Sequence, residues 1–274
     1  MTSVDWLWPL HPALAVNLAE AQPAASQSAK RATWSGDGGD AAMSLVAVTG
    51  ASGKTGWRVV DEALKRGLAV RAIVRPGSVL PAALAEAEQQ GRLDVRRLDL
   101  SATEALHAAL SGCDSLVIAT GARPSVDLAG PLKVDAFGVR DQIRACQAVG
   151  LKRVVLVSSL CAGRWQHPLN LFGLILVWKR LGERWLEESG LDWTVVRPGG
   201  LSEDDSRSER EGVVYSGPNQ QESSSLPRRL VARVCLEALE TPAASGRIIE
   251  ITSSPTQQPQ ALNQWLEAAI PAPG

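Results

Sequence analysis

The stretch Thr49-Gly50-Ala51-Ser52-Gly53-Lys54-Thr55-Gly56 decides the fold, because it stands directly after the apolar run Leu45-Val46-Ala47-Val48. A buried strand that breaks into closely spaced glycines and then enters a helix forms a cradle for phosphate. Gly50 is expected to make the tight turn, Gly53 to let the backbone approach a pyrophosphate, and Gly56 to allow close packing of helix on strand. The predicted phosphate-binding residues are these three glycines with Ser52, Lys54 and Thr55.

The triplet Gly53-Lys54-Thr55 also resembles the end of a nucleoside-triphosphatase P-loop. That loop needs another glycine five residues before Gly53, and Val48 stands there instead. No later strand ends in an aspartate that stands out as a magnesium ligand. A dinucleotide is therefore the favoured ligand, while a P-loop and a plain glycine-rich turn stay open as alternatives.

The composition limits the classes of protein to which the chain can belong. A length of 274 residues gives room for one large domain with a well-buried core, and a net charge of -1 argues against a general nucleic-acid binder. The four cysteines are far apart, and the three histidines offer no metal-ligand spacing. We therefore expect no metal site, no nucleic-acid partner, and reduced, packed cysteines in a cytoplasmic protein.

The first 42 residues differ from the rest because they are rich in Ala, Ser, Gln and Gly. Their apolar patch, Trp6 to Leu18, is too short and too interrupted to span a membrane, and the acidic residues among them fit poorly with an organellar transit peptide. Met43 stands directly before the first predicted strand. We predict that residues 1–42 are a disordered extension or a mis-assigned start, that 43–252 form the folded domain, and that 253–274 form a tail with one weak helix.

From Leu45 onward, short β-branched runs alternate with segments of helical periodicity. Strands are predicted at 45–49, 69–75, 93–98, 115–120, 153–158, 193–197 and 247–252. Helices are predicted near 54–66, 81–90, 102–111, 132–149, 169–189 and 226–240. This alternation predicts an α/β fold with right-handed βαβ units and a doubly wound, mainly parallel sheet of the Rossmann type. The polar stretch from Ser202 to Ser225 is predicted to form a small mobile flap on the substrate side of the sheet.

The second predicted strand determines which dinucleotide is expected. A carboxylate about twenty residues past the glycines normally binds the ribose hydroxyls of NAD. Here the strand ends at Arg75, and no Asp or Glu occurs from 67 through 85. Arg75, assisted by Arg71 or Ser78, is expected to pair with a 2′-phosphate, so NADP(H) is the predicted cofactor. The alternative is that Arg75 is a solvated charge at the end of a strand.

Ligands of open parallel sheets bind outside the carboxyl ends of the strands, so the residues after the other strands complete the predicted site. These positions follow from topology alone, and Thr120 or Ser158 could instead cap a helix. The predicted contacts are Asp99 and Leu100 at the adenine ring, Ala119, Thr120 and Gly121 at the middle of the cofactor, Ser158 and Ser159 at the nicotinamide, and Pro198 and Gly199 around the carboxamide.

Four stretches together carry a resemblance to a known family: Thr49 to Gly56, Val70 to Arg75, Val154 to Ser159, and Leu191 to Leu201. In these stretches the chain resembles the atypical short-chain dehydrogenase/reductase family, whose members have NAD(P)-binding Rossmann domains. The segment from Leu169 to Glu183 is similar to the cyanobacterial and chloroplast branch that includes the dehydrogenase-like subunit of the inner-envelope translocon. The resemblance covers about residues 43–252 and implies NADP(H) binding more firmly than any particular reaction.

The chain departs from that family at the catalytic residues. Members with the usual chemistry carry Tyr-x-x-x-Lys, and Lys179 fits the lysine position, but Ile175 stands where the tyrosine belongs. Tyr215, the one tyrosine of the chain, falls in the polar flap. A positioned acid–base group contributes about 10²–10⁴-fold in rate, so efficient reduction of an ordinary ketone is not expected. His167 is an alternative proton donor, and Asp135 is expected to complement a helix dipole or anchor a loop.

These residues favour a reductase that passes a hydride from NADPH to a flavin, a quinone or a similar small acceptor. Ser158 and Ser159 would contact the acceptor or the nicotinamide, and the match to the family lysine implies that Lys179 holds the ribose. These three are the predicted catalytic residues. The alternative is a non-catalytic scaffold or assembly factor that responds to NADP(H). The apolar helix at 169–189 is expected to lie in the core, or else to contact a protein partner or a second subunit.

Overall fold

The computed structural model describes residues 44–122, 129–171, 173–221 and 224–269. The predictions for residues 1–42, for Met43 and for the last five residues lie outside these ranges. The described residues all belong to one compact unit.

The described residues contain ten strands, and eight of these form the central sheet. The strands are β1 (Leu45–Thr49), β2 (Ala69–Val74), β3 (Asp94–Arg97), β4 (Ser115–Ile118), β5 (Arg153–Val157), β6 (Asp192–Pro198), β7 (Gly200–Ser202), β8 (Gly212–Ser216), β9 (Ser225–Pro227) and β10 (Arg247–Ser254). The sheet order is β3-β2-β1-β4-β5-β6-β10-β8. Every pair in it is parallel except that of β10 with β8. Strands β7 and β9 pair separately.

Helices cover both faces of this sheet, as a doubly wound fold requires. They are α1 (Gly56–Lys65), α2 (Ala82–Gln89), α3 (Thr103–Leu110), α4 (Gly138–Val149), α5 (Ile175–Glu187), α6 (Arg228–Glu240) and α7 (Leu262–Ala269). One apolar core joins α1, α2, α6 and α7 to one face of the strands, and a second core joins α3, α4 and α5 to the other face. In β1, Val46 and Val48 enter the first core and Ala47 the second, because successive side chains of a strand point to opposite faces.

All seven predicted strands are present, with ends within two residues of the prediction. The short strands β7, β8 and β9 were not predicted; β8 lies within the stretch predicted as a flap, and β7 and β9 lie at its two ends. The polar composition of that stretch hides β8, which adds an antiparallel edge to the main sheet beside β10. The flap therefore contains one strand of the main sheet and a 3-10 turn at Asp205–Glu209.

The helix predicted at 169–189 begins only at Ile175. Residues Pro168–Leu171 form a separate 3-10 turn, and Leu174 has a φ of +57°, a left-handed conformation that a right-handed helix does not contain. Leu171 is consequently 82% exposed, and among the described apolar residues of this run only Leu176 is fully buried. The expectation that the whole run lies in the core is wrong.

Helix α7 confirms the weak helix predicted near the end of the chain. Its residues Leu262 and Leu266 are buried in the same core as α1 and α6. Strand β10 extends to Ser254, and the predicted division at residue 252 stays an expectation. Among the helices within the described ranges, none is both long enough and apolar enough to cross a membrane.

Candidate functional site

The glycine turn after β1 lies where the strand order of the sheet reverses, between β1 and β4. Gly50 has a φ of +70°, and a Cβ there would lie 2.7 Å from the carbonyl oxygen of Ala119. The N–H of Gly53 donates to the carbonyl of Gly50 at 2.8 Å and closes the turn. A Cβ on Gly56 would lie only 2.2 Å from the Gly50 carbonyl oxygen. The tight turn and the close helix packing are thus present, and contact with a cofactor stays a prediction.

The first turn of α1 continues the glycine turn, and its Trp57 and Arg58 N–H groups donate to the carbonyls of Gly53 and Thr55 at 3.1 and 3.0 Å. No side chain caps it and it contains no acidic residue, so its amides and partial positive charge have no competing carboxylate within the helix. Ser52 and Thr55 are half-buried beside it. Lys54 is 58% exposed and forms an ion pair with Glu203, which follows β7.

Arg58 fastens the start of α1 to the segment after β7. Its Nε donates to both carboxylate oxygens of Asp205, at 2.9 and 2.8 Å, and its Nη1 donates to the Lys54 carbonyl at 2.6 Å. The guanidinium also lies 4.4 Å from the ring centre of Trp57. Because Arg58 is 5% exposed and fully paired, it holds the loop and is not itself available to a ligand.

Arg75 follows the end of β2 and is exposed, with no ion pair to a carboxylate in the described part of the chain. Ser78 closes the turn after it by donating its N–H to the Arg75 carbonyl at 3.1 Å. At the end of β3, Asp99 accepts hydrogen bonds from the Ser101 N–H and hydroxyl, at 2.9 and 2.8 Å. These bonds hold the pKa of Asp99 below its usual range, with a smaller contribution from Arg75. Leu100 is half-buried against the second core.

Arg71, expected to assist Arg75, has a structural role instead. It is 8% exposed, and its Nε donates to Asp94 in β3 at 2.7 Å. Its Nη1 donates to the carbonyls of Ala109 and Ser111 at the end of α3. Arg71 lies in the middle of β2 and not at its carboxyl end, so it cannot reach the expected position of a 2′-phosphate.

The hydroxyls of Thr120 and Ser158 are buried and have no hydrogen-bond partner among the described residues. Each lies two residues beyond the paired positions Ile118 and Leu156 of the adjacent strands β4 and β5, so the two lie side by side at the carboxyl edge. Neither hydroxyl makes the hydrogen bond that a helix cap requires, so the alternative of a capping role is not supported. Buried polar groups in folded proteins are nearly always paired, so two orphaned hydroxyls at this edge indicate a missing polar ligand.

Lys179 lies on α5 beside the end of β4. Its Nζ donates to Asp135 Oδ1 at 2.7 Å, and a Cβ on Gly121 would lie 3.8 Å from that Nζ. The other Asp135 oxygen accepts from the N–H of Ala122 at 3.1 Å. Asp135 stands in a π-helical turn, Leu132–Phe137, just before α4. Asp135 therefore holds the segment after β4 in place and positions Lys179, which agrees with the expected role of a loop anchor.

The ends of β5 and β6 form the remaining wall of the predicted site. Pro198 is buried, and its carbonyl accepts from the Leu160 N–H just beyond the half-buried Ser159. A Cβ on Gly199 would lie 2.2 Å from the Ser224 carbonyl oxygen, so only glycine fits between these backbones. The backbone here is thus tightly packed from β5 across to β9.

The other candidate proton donors are poorly placed for catalysis. Tyr215 on β8 donates to Glu237 at 3.5 Å and stacks on Trp265, and burial, reinforced by that carboxylate, raises its pKa. His167 accepts a bond from the Leu169 N–H within its own loop. The four cysteines are buried, and burial raises the pKa of Cys146 and of Cys235 to about 12. In the ranges that the structure covers, no cluster of three or more His, Cys, Asp or Glu could hold a metal.

A buried ionic network around Arg197 was not predicted from the sequence. Arg197, at the end of β6, donates to both oxygens of Glu183 at 2.9 and 2.7 Å and lies 3.4 Å from Glu250. Glu250 is fully buried and accepts backbone N–H bonds from Asn219, Gln220 and Gln221 at 2.8, 3.0 and 3.0 Å. The available signal was the charge in the middle of the apolar strand run Arg247-Ile248-Ile249-Glu250-Ile251, which requires a buried partner.

A dinucleotide fits the residues at this edge. A side chain at Gly50 or Gly56 would occupy the space of the glycine turn, and no side chain caps the first turn of α1. The hydroxyls of Thr120 and Ser158 lack hydrogen-bond partners among the described residues. These features are what a diphosphate, a ribose and a carboxamide would use. The arrangement is that of a cofactor-binding protein of the Rossmann class.

Comparison with known proteins defines the family. A family model described as NAD(P)H-binding matches residues 50–242, which is more than half of the chain. The chain belongs to this NAD(P)H-binding family. A solved structure from Bacillus halodurans, provisionally named as an NAD-dependent epimerase/dehydratase, is similar with a TM-score of 0.67 and 26% identity. The match covers 82% of this chain and 99% of that one, and it agrees with the doubly wound fold.

Three curated relatives place the chain more narrowly. A chloroplastic protein of Arabidopsis thaliana is 37% identical over 223 residues, covering 76% of each chain. Sanguinarine reductase of Eschscholzia californica is 28% identical over 253 residues, covering 77% of this chain and 89% of that enzyme. TIC 62, a chloroplastic protein of Pisum sativum, is 33% identical over 174 residues, covering 57% of this chain and 33% of TIC 62. The resemblance to the chloroplast branch is confirmed.

The expected cytoplasmic location is contradicted by these relatives. The Arabidopsis and pea proteins are both named chloroplastic, which argues against the cytoplasmic expectation. The expectation rested on the acidic residues among 1–42, which lie outside the described ranges, and on widely spaced cysteines. Neither feature specifies a compartment.

Proposed function

We propose that this protein is an NADPH-dependent reductase that passes a hydride to a small redox acceptor such as a flavin or a quinone. One observation carries the proposal: Lys179 has no tyrosine beside it, because Ile175 occupies that position and Tyr215 is held on β8 against Glu237. An acceptor that takes its proton from water suits such a site, and an ordinary ketone does not.

The cofactor part of the proposal assigns each group at the carboxyl edge to a part of NADPH, which supplies the hydride when bound. The glycine turn would hold the diphosphate, and Arg75 would select the 2′-phosphate. The orphaned hydroxyls of Thr120 and Ser158 would hydrogen-bond the ribose and the carboxamide. Lys179, oriented by Asp135, would hold the nicotinamide ribose, and Ser159 would contact the acceptor.

The family and one relative support the reductase class. The matching family model is described as NAD(P)H-binding, and a relative covering most of this chain is named a reductase. The acceptor class and the preference for NADPH rest on the site residues alone.

A second candidate function is a non-catalytic scaffold that responds to NADP(H). It is favoured by the apolar residues exposed just before α5, where Trp165 is 66% and Leu171 82% exposed. Such residues suit contact with a protein partner or a second copy of the chain. The missing tyrosine is compatible with this candidate as well.

Turnover by the purified full-length chain distinguishes the two candidates. NADPH oxidation would be followed by absorbance with flavins, quinones and simple ketones, and NADPH binding would be measured by calorimetry in the same preparation. We expect oxidation well above the uncatalysed rate with a flavin or a quinone, and none with the ketones. Lys179→Met keeps the aliphatic stem without the ammonium and should reduce this turnover. Tight NADPH binding without turnover on any acceptor would reject the reductase in favour of the scaffold.

A further inference from the structure

Arg228 is a half-buried arginine whose guanidinium is incompletely paired. It is the first residue of α6, and its Nε and Nη1 are buried without a hydrogen-bond partner among the described residues. Leaving a buried donor of a charged group unpaired is costly, and folded proteins rarely do so without a reason. Burial acts on this side chain strongly enough to lower its pKa despite nearby carboxylates. These unsatisfied donors need an acceptor that the described residues do not supply.

The neighbours of Arg228 place it beside the glycine turn. Helix α6 packs along α1, and the next residue, Arg229, donates to Asp61 of α1 at 2.7 Å and lies 3.6 Å from Asp205. Asp205 in turn holds Arg58, at the start of α1. Glu203 forms an ion pair with Lys54 of the glycine turn, and its pKa is lowered by Lys54 and, to a smaller extent, by the positive charge of Arg228. The starts of α1 and α6 therefore lie together.

The cations of this cluster differ in how readily a ligand could use them. Arg58 and Arg229 are committed to buried or half-buried carboxylates. The pair of Lys54 with Glu203 is more than half exposed on both sides, so water screens it and an anion could displace the carboxylate at little cost. Arg228 has two free donors. Lys54 and Arg228 are thus the two cations that an entering anion can engage.

We infer that Arg228 binds the diphosphate of the dinucleotide, together with Lys54, after that diphosphate displaces Glu203 from Lys54. The inference rests on the proposed function, since it adds a ligand to the same cofactor site. A guanidinium fork matches two oxygens of a phosphate, and the double negative charge of the diphosphate balances the two cations, Lys54 and Arg228, that it would contact. The 2′-phosphate is excluded as the target because its expected position is at the end of β2, beside Arg75.

Two fragments of the cofactor test this assignment separately. ADP-ribose has the diphosphate without a 2′-phosphate, and 2′-AMP has the 2′-phosphate without a diphosphate. Calorimetry with the full chain should show that Arg228→Gln weakens ADP-ribose and NADPH by about tenfold or more, because a charge-assisted hydrogen bond is lost, and leaves 2′-AMP within about twofold. Arg75→Ala should show the reverse pattern for the two fragments.

Thermal unfolding provides a second readout that a purely structural role would not reproduce. Arg228→Gln removes a buried unpaired charge, so the melting temperature of the ligand-free protein should stay the same or rise while the shift produced by ADP-ribose shrinks. Arg229→Gln is the matched control: it breaks paired contacts, so the ligand-free protein should melt earlier with ADP-ribose affinity within about twofold.

The outcomes separate this inference from the proposed function. If the wild type binds ADP-ribose and NADPH and Arg228→Gln changes neither, Arg228 is not a diphosphate ligand while the cofactor assignment stands. Equal weakening of 2′-AMP and ADP-ribose by Arg228→Gln would also overturn the inference. A wild-type chain that binds neither NADPH nor NADH would remove the proposed function itself.

Discussion

At the scale of single residues, the glycine turn depends on atoms that a side chain would displace. Gly56→Ala would place a Cβ 2.2 Å from the Gly50 carbonyl oxygen, and backbone on both sides leaves little room to relax. We expect the free energy of unfolding to fall by about 1–3 kcal/mol, as for other overpacked sites. Urea denaturation measures this loss. Gly200→Ala is the control, since its Cβ would lie 3.6 Å from the nearest atom, an ordinary van der Waals distance, and an equal loss there would contradict the steric explanation.

Arg75 is the residue on which the preference between NADPH and NADH depends. Arg75→Ala should weaken NADPH by about tenfold or more and leave NADH nearly unchanged, because only NADPH offers a 2′-phosphate to the guanidinium. Calorimetry with both dinucleotides measures the two affinities. Arg97→Ala serves as the control, since Arg97 ends the neighbouring strand and pairs with Glu88 at 2.7 Å. Equal weakening of both dinucleotides by Arg75→Ala would reject the 2′-phosphate assignment.

At the scale of elements, α5 and the 217–221 loop are joined by buried charges. Glu183 on α5 holds Arg197 of β6, and Glu250 of β10 holds both Arg197 and three backbone N–H groups of the loop. A buried carboxylate is tolerated only when it is fully paired in this way. The 217–221 loop is therefore held by Glu250 of β10, together with hydrogen bonds of the Gln221 side chain.

Removing the charge of Glu250 should free that loop. Glu250→Gln keeps the shape but halves the acceptor capacity, so the free energy of unfolding should fall by about 3 kcal/mol and amide exchange at Asn219–Gln221 should accelerate. Hydrogen exchange measured by NMR resolves those amides individually. Glu240→Gln, at an exposed pair with Arg66, should change neither quantity. Unaltered protection of Asn219–Gln221 in Glu250→Gln would show that other contacts hold the loop.

The elements also show where periodicity alone misleads. The run from Leu169 to Trp178 is apolar enough to predict a continuous buried helix, but the left-handed Leu174 separates a 3-10 turn from α5. In the reverse direction, the edge strand β8 was missed because its short apolar run, Val213 to Tyr215, is flanked by polar residues. Local pattern therefore located the central elements well and the peripheral ones poorly.

At the scale of the whole molecule, ion pairs make stability depend on pH. Burial acts to raise the pKa of Asp61 and of Asp94, but hydrogen bonds from Lys65 and Arg229 to Asp61, and from Arg71 and Arg96 to Asp94, outweigh it, so both pKa values lie below the usual range. The unfolded chain then binds more protons than the folded one at acid pH. Stability should be fully present above the ordinary carboxyl pKa of about 4 and be lost as the pH falls further.

Urea denaturation between pH 7 and pH 3 tests this dependence. The free energy of unfolding should stay nearly level down to about pH 5 and then decrease. Asp94→Asn removes one contributing carboxylate, so its curve should be lower at pH 7 and flatter in the acid range. Glu237 acts in the opposite direction because burial raises its pKa. Stability that increases as the pH falls from 7 to about 5 would show that Glu237 dominates over the aspartates.

The sequence by itself determined the class of fold and the edge at which the site lies. Alternating apolar strands and helices specify a parallel sheet, and the glycines after β1 specify a phosphate cradle, because both depend on spacing along the chain. The tertiary structure alone decided which charges meet. It gave Arg71 a structural role, paired Lys179 with Asp135, and brought the charge of Arg228 near Glu203, the partner of Lys54. Such pairings join residues distant in sequence, and only the packing of helices on the sheet sets the distances between them.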